Sequence, residues 1–183
     1  EQEVSILNLD KIFAPQRVAV IGASDTPTSV GYTVLRNLVG SGFRGVVYPV
    51  NPRAASVMSV KAFPSVLDIP DAVDLGIIIV PRDAVPGVIQ ECGEKGIKTV
   101  IVITAGFREV GCAGVERENR LKEICAGYGM AMIGPNCLGV MSPVSGLNAT
   151  FAAGMARNGN VAFISQSGAL CTAVLDWSFK EDV

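Results

Sequence analysis

A doubly wound, parallel α/β sheet is the fold this sequence predicts, and three observations predict it. Apolar runs of strand length alternate with segments of helical periodicity from residue 17 to residue 133. Two of those runs, DLGIIIV at 74–80 and KTVIVIT at 98–104, are apolar almost throughout, as strands covered on both faces are. The stretch RVAVIGASDTPTSVG at 17–31 reads as strand, small-residue loop and helix, the order that opens a right-handed βαβ crossover.

Residues 4–16, VSILNLDKIFAPQ, predict a short helix or an extended lead-in, ended by Pro15. A strand follows at 18–21. The helix beginning near Val30 carries Val30, Val34, Leu35 and Leu38 on one face, and Gly40 and Gly42 mark its end. GVVYPV at 45–50 is a second strand, entering the turn Asn51-Pro52-Arg53. Residues 54–72 are less regular, with Pro64 and Pro70 arguing for short pieces and turns. After the third strand, Pro81 precedes a helix bearing Val85, Val88, Ile89 and Cys92, closed by Gly93 or Gly96. The fourth strand leads to a helix at 115–127 with Leu121, Ile124 and Cys125 inward and Tyr128 in register just past its end. Glu116–Arg120 and Glu118–Lys122 have the spacing of exposed i,i+4 pairs. Residues 130–133 form the fifth strand and stop at Gly134-Pro135-Asn136.

Five strands of this kind complete a Rossmann-like domain, placed at residues 1–140. Residues 141–160 are rich in Gly, Ser, Asn and Pro and lack clean periodicity, which predicts an interdomain connection. The pattern then restarts. VAFIS at 161–165 predicts a strand, Ser165-Gln166-Ser167-Gly168 a tight turn, and Leu170, Ala173, Val174 and Trp177 a helix face. One strand and one helix have little to pack against, so residues 161–183 are expected to begin a second α/β domain of a longer polypeptide.

Composition narrows the chemistry. Over 183 residues, 49% are hydrophobic and 17% charged, enough for a core and unlike a disordered chain. A net charge of −2 offers no footprint for nucleic acid. The apolar runs are too short to cross a bilayer, and the start Glu1-Gln2-Glu3 has the wrong charge for a signal peptide. Five cysteines, an odd number with no Cys-x-x-Cys pair, predict reduced thiols in a cytoplasmic protein. Zinc would need four of them at irregular spacings, so no metal site is expected. Histidine is absent altogether, which removes a histidine base, ligand or phosphohistidine from this chain.

A glycine turn between a strand and a helix sets unpaired N–H groups and the helix dipole where an anion is favoured, so a nucleotide-like phosphate is the first ligand to consider. A plain strand–helix connection is the alternative. The dinucleotide fingerprint Gly-x-Gly-x-x-Gly is missing, because Gly22-Ala23-Ser24 is followed by a longer insertion before Gly31. A NAD site also expects an acid at the end of the second strand. Here that place holds Val50-Asn51-Pro52-Arg53, and a cation there suits an extra ribose phosphate, as in CoA or NADP. A simple turn with a solvated arginine is the competing reading. Val80-Pro81-Arg82, Thr104-Ala105-Gly106 and Gly134-Pro135-Asn136-Cys137 fall on the same sheet edge, where ligands of open α/β sheets bind. Cys137 has no histidine to activate it and reads as a small lining residue. Ser165 and Ser167 have no partner base, and Ile164 breaks the Gly-x-Ser-x-Gly pattern of hydrolases.

In order, VAVIGASDTPTSVG, VYPVNPR, GIIIVP, VITAGF, IGPNCLG, LNATF and ISQSGAL resemble the CoA-binding half of NDP-forming acyl-CoA synthetases. These are the acetate–CoA ligases (ADP-forming), relatives of the succinyl-CoA synthetase alpha subunit, and the resemblance covers almost the whole chain. It implies a CoA-binding Rossmann-like domain followed by the start of a flavodoxin-like ligase domain. The implied reaction turns acyl-CoA, phosphate and ADP into free acid, CoA and ATP through an acyl phosphate and a phosphohistidine, with ADP/ATP and Mg²⁺ held by a separate ATP-grasp domain or subunit. It implies that Gly22, Ser24, Val30 and Gly31 cradle CoA phosphates, and that Asn51, Pro52 and Arg53 meet the adenosine end. Val80, Pro81, Ile103 and Thr104 then border the pantetheine path, and Asn136 and Cys137 lie near the thiol. Ser165, Ser167 and Gly168 resemble the turn whose helix faces the phosphorylated histidine, a residue this chain lacks. A homo- or hetero-oligomer is expected. The alternative function is a non-catalytic CoA- or ligand-sensing domain fused to an acetyltransferase, and an NAD(P)-dependent oxidoreductase stands third.

Overall fold

A computed structural model describes residues 8–181. The element order is α1 (Leu9–Phe13), β1 (Arg17–Ile21), α2 (Val30–Gly40), β2 (Val46–Val50), β3 (Ser56–Val57), β4 (Val60–Lys61), β5 (Leu75–Ile78), α3 (Val85–Glu94), β6 (Thr99–Val102), α4 (Cys112–Tyr128), β7 (Ala131–Ile133), β8 (Gly139–Ser142), β9 (Leu147–Thr150) and α5 (Gly168–Glu181). Five strands pair in parallel in the order β2-β1-β5-β6-β7. This is the expected Rossmann-like α/β sheet. The chain leaves β1 toward β2, then returns across β1 to β5, so strand order reverses between β1 and β5. Ligands of such sheets bind at that reversal, outside the carboxyl ends of the strands.

Alternation along the strands builds two cores. Ala19, Ile21, Ile78, Val100 and Val102 face one side, where Val85, Ile89 and Cys92 of α3 and Leu121 and Cys125 of α4 cover them. Val18, Val20, Leu75, Ile77 and Ile101 face the other, against Val34, Leu35 and Leu38 of α2. Leu35 and Leu38 are fully buried, each a contribution of about 2 kcal/mol of hydrophobic free energy. Val30 differs from its expected place on that stripe: at the first turn of α2 it is 39% exposed. Gly93 lies inside α3 and lets the Tyr128 ring close over it, since a Cβ there would stand 2.4 Å from ring atoms. Gly96, at φ +86°, takes the left-handed position just past that helix.

The segment expected as an irregular interdomain connection holds an antiparallel pair, β8 with β9. Leu147 and Ala149 are fully buried in the same core as α2, and Asn37 Nδ2 donates to the carbonyls of Thr150 and Ala152 at 2.9 Å each. The pair is too short for a clear period-2 signal, and glycines at φ +115° (Gly139) and +70° (Gly146) make it read as loop. Between β2 and β5 the chain forms the small β3–β4 hairpin, whose turn residues Met58 and Ser59 both have positive φ. No strand forms at 161–165. Val161 and Ile164 are 83% and 93% exposed, and no strand among the described residues pairs with them. A lone run cannot hold a ladder. Of the two expected helix pairs, Glu118–Lys122 forms at 2.8 Å, whereas Arg120 turns to Glu123 at 3.4 Å instead of Glu116.

Candidate functional site

At the reversal between β1 and β5, backbone meets backbone. Gly22 has φ +97°, and a Cβ there would stand 2.2 Å from the Ile79 carbonyl oxygen. A Cβ on Gly31 would stand 2.1 Å from the Gly22 carbonyl oxygen. These two glycines draw the turn after β1 onto the end of β5 and onto the first turn of α2, a packing any side chain would pry apart.

The loop between them faces solvent: residues 25–28 are exposed, and Ser24 and Ser29 are half-buried. Ser29 caps α2, its Oγ accepting from Tyr32 N–H at 3.1 Å. Val30 and Gly31 N–H, also in the orphan first turn, donate to no acceptor among the described residues. Ser24 Oγ accepts from Thr26 N–H at 3.0 Å, leaving its own hydroxyl proton to donate elsewhere.

All five strand ends are laced side to side. Gly22 N–H donates to Val50 O at 3.0 Å, Ile79 N–H to Ile21 O at 2.8 Å, and Ile103 N–H to Ile78 O at 3.1 Å. Thr104 Oγ1 donates to Val80 O at 2.8 Å, while Asn136 N–H donates to Thr104 O at 3.0 Å. Ile103 is buried, Val80 and Thr104 are half-buried, and Pro81 and Asn136 are exposed. The expected residues from these five ends therefore stand along one edge of the sheet.

Asn51 also braces the site from within. Its Nδ2 donates to Ala23 O at 2.8 Å and its Oδ1 accepts from Arg53 N–H at 2.8 Å, so both ends of the amide are engaged within the protein. Pro52 and Arg53 are exposed, and the Arg53 guanidinium makes no ion pair or hydrogen bond among the described residues. Cys137 is half-buried and its thiol donates to Val102 O at 3.3 Å; burial pushes it up to about 11, so it is a protonated thiol at neutral pH.

Sequence reasoning missed two acids here. Asp25 Oδ1 accepts from Met58 N–H at 2.7 Å, tying the first loop to the β3–β4 hairpin. Glu109 accepts from Gly106 and Phe107 N–H, closing the turn after β6. Burial works to raise its pKa, but those N–H donors outweigh burial and hold the carboxyl below the usual range. Neither acid lies in a periodic pattern; the one available signal was a carboxylate a few residues from a loop glycine. Arg82 lies over Gly106 and pairs with Asp83 at 3.0 Å, at the rim of a cavity of about 190 Å³ that Phe107, Arg117 and Arg120 also line.

Ser167 caps the start of α5, and Ser165 braces the turn that leads into it. Ser165 Oγ accepts from Ser167 N–H at 3.0 Å, and Ser167 Oγ accepts from Leu170 N–H at 3.3 Å. Gly168 abuts the turn that carries Cys137, because a Cβ there would lie 3.6 Å from Leu138 Cβ. The two groups of expected residues, at the ends of β6 and β7 and at the start of α5, are thus neighbours. Among the described residues no cluster of three or more Cys, Asp or Glu could hold a metal ion, and no helix is long and apolar enough to cross a membrane.

Residues 16–143 match the family model of the CoA-binding domain. The chain belongs to that family. The CoA-binding domain here is 51% identical over 175 residues to the alpha subunit of acetate–CoA ligase (ADP-forming) II of Pyrococcus furiosus, covering 96% of this chain and 38% of that protein. It is 48% identical over 168 residues to the acetate–CoA ligase (ADP-forming) of Methanocaldococcus jannaschii, covering 92% of this chain and 23% of that one. In structure it is similar to the dinucleotide-forming acetyl-coenzyme A synthetase 1 of Ca. Korarchaeum cryptofilum in complex with phosphate and ADP, with TM-score 0.90, 47% identity, and coverage of 94% of this chain and 37% of that one. The chain thus spans well under half the length of the relatives it matches.

Proposed function

We propose that this CoA-binding domain is the CoA-holding part of an ADP-forming acyl-CoA synthetase, whose whole reaction interconverts acyl-CoA, phosphate and ADP with free acid, CoA and ATP. One observation carries the reading: unpaired N–H groups in the first turn of α2, at a glycine-packed strand reversal, stand on the same sheet edge as a free arginine just past the end of β2. An acid at that place would bind ribose hydroxyls; a guanidinium matches a ribose phosphate. Likeness to the acetate–CoA ligase subunits supports the same choice.

In this reading the N–H groups of Val30 and Gly31 and the hydroxyl of Ser24 hold the pyrophosphate, with Gly22 keeping the turn close enough for backbone contact. The Arg53 guanidinium takes the 3′-phosphate, with Pro52 beside the adenosine. Val80, Pro81, Ile103 and Thr104 border the pantetheine, and the exposed Asn136 amide and Cys137 stand at its thiol end. The protonated Cys137 does not compete as a nucleophile with the CoA thiol.

Without histidine the chain binds and positions; it carries no phosphoryl group itself. The capped start of α5 at Ser165, Ser167 and Gly168 would then face the phosphoryl carrier supplied by the rest of the enzyme. ADP, ATP and Mg²⁺ belong to an ATP-grasp domain or subunit, assembled with this one as a homo- or hetero-oligomer. All five cysteines are free thiols, which supports a cytoplasmic protein.

Thermal unfolding with CoA, 3′-dephospho-CoA, NAD and NADP in parallel tests the reading. CoA at about 100 times its dissociation constant adds roughly 2.7 kcal/mol, a rise of roughly 5–10 °C in Tm. Arg53→Ala weakens CoA by about tenfold and leaves 3′-dephospho-CoA unchanged. Stabilisation by NAD and not by CoA contradicts the proposal, as does an equal loss for both CoA forms in Arg53→Ala.

A further inference from the structure

We infer that Asn51 is a positioning residue with two arms: the one to Ala23 O holds the pyrophosphate-binding turn, and the one to Arg53 N–H directs Arg53 and so sets the preference for a 3′-phosphorylated ligand. The inference rests on the reading of the site as one for CoA. Its grounds are geometric. The half-buried Asn51 side chain reaches two separate ligand-facing segments at once, donating to Ala23 O and accepting from Arg53 N–H, both at 2.8 Å. Its backbone is pinned from the other side, with Asn51 N–H donating to Phe63 O at 2.9 Å and Phe63 N–H to Pro49 O at 3.0 Å. The brace is therefore anchored to the sheet and does not ride on either loop.

A side chain of this length with an NH₂ donor group on one terminal atom and an acceptor oxygen on the other performs both contacts. The Asn51–Arg53 contact is an Asx-turn, which directs the backbone of Arg53 and hence the start of its side chain. The Asn51–Ala23 contact holds the first loop two residues ahead of Asp25, where the Asp25–Met58 bond at 2.7 Å secures the same loop to the β3–β4 hairpin. Between them the first loop is fastened at two points to the segment that follows β2, and the arginine leaves from that segment.

The two arms of the amide separate by substitution. Asn51→Ala removes both. Asn51→Ser keeps an acceptor for Arg53 N–H, as serine hydroxyls do in equivalent turns, and is too short to reach Ala23 O. The experiment is calorimetric titration of the 183-residue chain with CoA and with 3′-dephospho-CoA, beside amide hydrogen exchange without ligand. Asn51→Ser weakens both ligands by about three- to tenfold and keeps the wild-type CoA preference. Asn51→Ala weakens both and also brings the preference toward that of Arg53→Ala. In both variants the hydrogen-bonded amides of Thr26, Ser29 and Met58 exchange faster. An unchanged preference in Asn51→Ala, or Asn51→Ser indistinguishable from Asn51→Ala, overturns the inference. So does wild-type exchange at Thr26, Ser29 and Met58, which decides the point even if a variant binds no ligand. A wild-type chain that binds neither ligand sinks the CoA reading instead, and hydrogen exchange alone then decides whether the brace exists.

Discussion

Gly31 and Gly127 both lie within helices, and the same substitution moves stability in opposite directions at the two. A Cβ at Gly31 would meet the Gly22 carbonyl oxygen at 2.1 Å, whereas at Gly127 nothing lies within 4 Å. Gly31→Ala therefore costs about 3 kcal/mol or more by backbone overpacking, and Gly127→Ala gains about 0.5–1 kcal/mol by restricting the unfolded chain. Urea unfolding of both variants checks the pair; a Gly31→Ala as stable as wild type would mean that the close approach does not exist. At this scale the sequence was legible where a residue type has few uses. Gly22, Gly31 and the cation at Arg53 could be singled out because a glycine between strand and helix, and a base where an acid is usual, each has a narrow physical meaning. Asn51 could be singled out as well, but nothing in a sequence shows that its amide also reaches Ala23 and Arg53. Asp25 and Glu109 were invisible for a related reason: their partners are backbone N–H groups of irregular segments, and one of those is 33 residues away.

Elements with strong periodicity were read to within about three residues at each end, and those held by tertiary contact were not. The β8–β9 pair is the clear case. Its buried Leu147 packs into the core of α2, so Leu147→Ala should destabilise the domain by about 2–4 kcal/mol in a single cooperative transition. A change under about 0.5 kcal/mol would mean that the pair is a detachable connection. The run VAFIS fails in the opposite direction, with strand propensity but no neighbour to pair with.

At the opposite end of the sheet, Asp74 clamps α1 to the start of β1. Its carboxylate accepts from Gln16 N–H at 2.9 Å and Arg17 N–H at 3.0 Å and pairs with Lys11 at 3.0 Å. Burial works to raise its pKa, and these bonds override burial and hold it below the ordinary value. A depressed carboxyl contributes stability that is present above the unfolded pKa near 3.9 and is lost as pH falls through the folded one. Asp74→Ala should thus cost about 2 kcal/mol at pH 7 and progressively less below about pH 4. Thermal melts of both proteins from pH 3 to 7 test this, and a deficit that stays constant across the range would refute it.

On the scale of the molecule, two helices on one face, two helices and a hairpin on the other, and a strand reversal between β1 and β5 bring the carboxyl ends of five strands to one edge. The alternation of apolar strands with helices announced that arrangement, because right-handed crossovers leave few other solutions. What the alternation did not announce was the lacing of the five ends by hydrogen bonds from Thr104, Asn51 and the backbone, a product of register that only the folded chain displays. The central claim is that this laced edge is where CoA lies. Amide chemical-shift mapping of the 183-residue chain on addition of CoA is its most direct test. CoA lying there shifts amides chiefly at residues 22–31, 51–53, 80–82, 103–106 and 136–137. Shifts at the opposite end of the sheet, around residues 41–45 and 143–146, or none at all with saturating CoA, would contradict it.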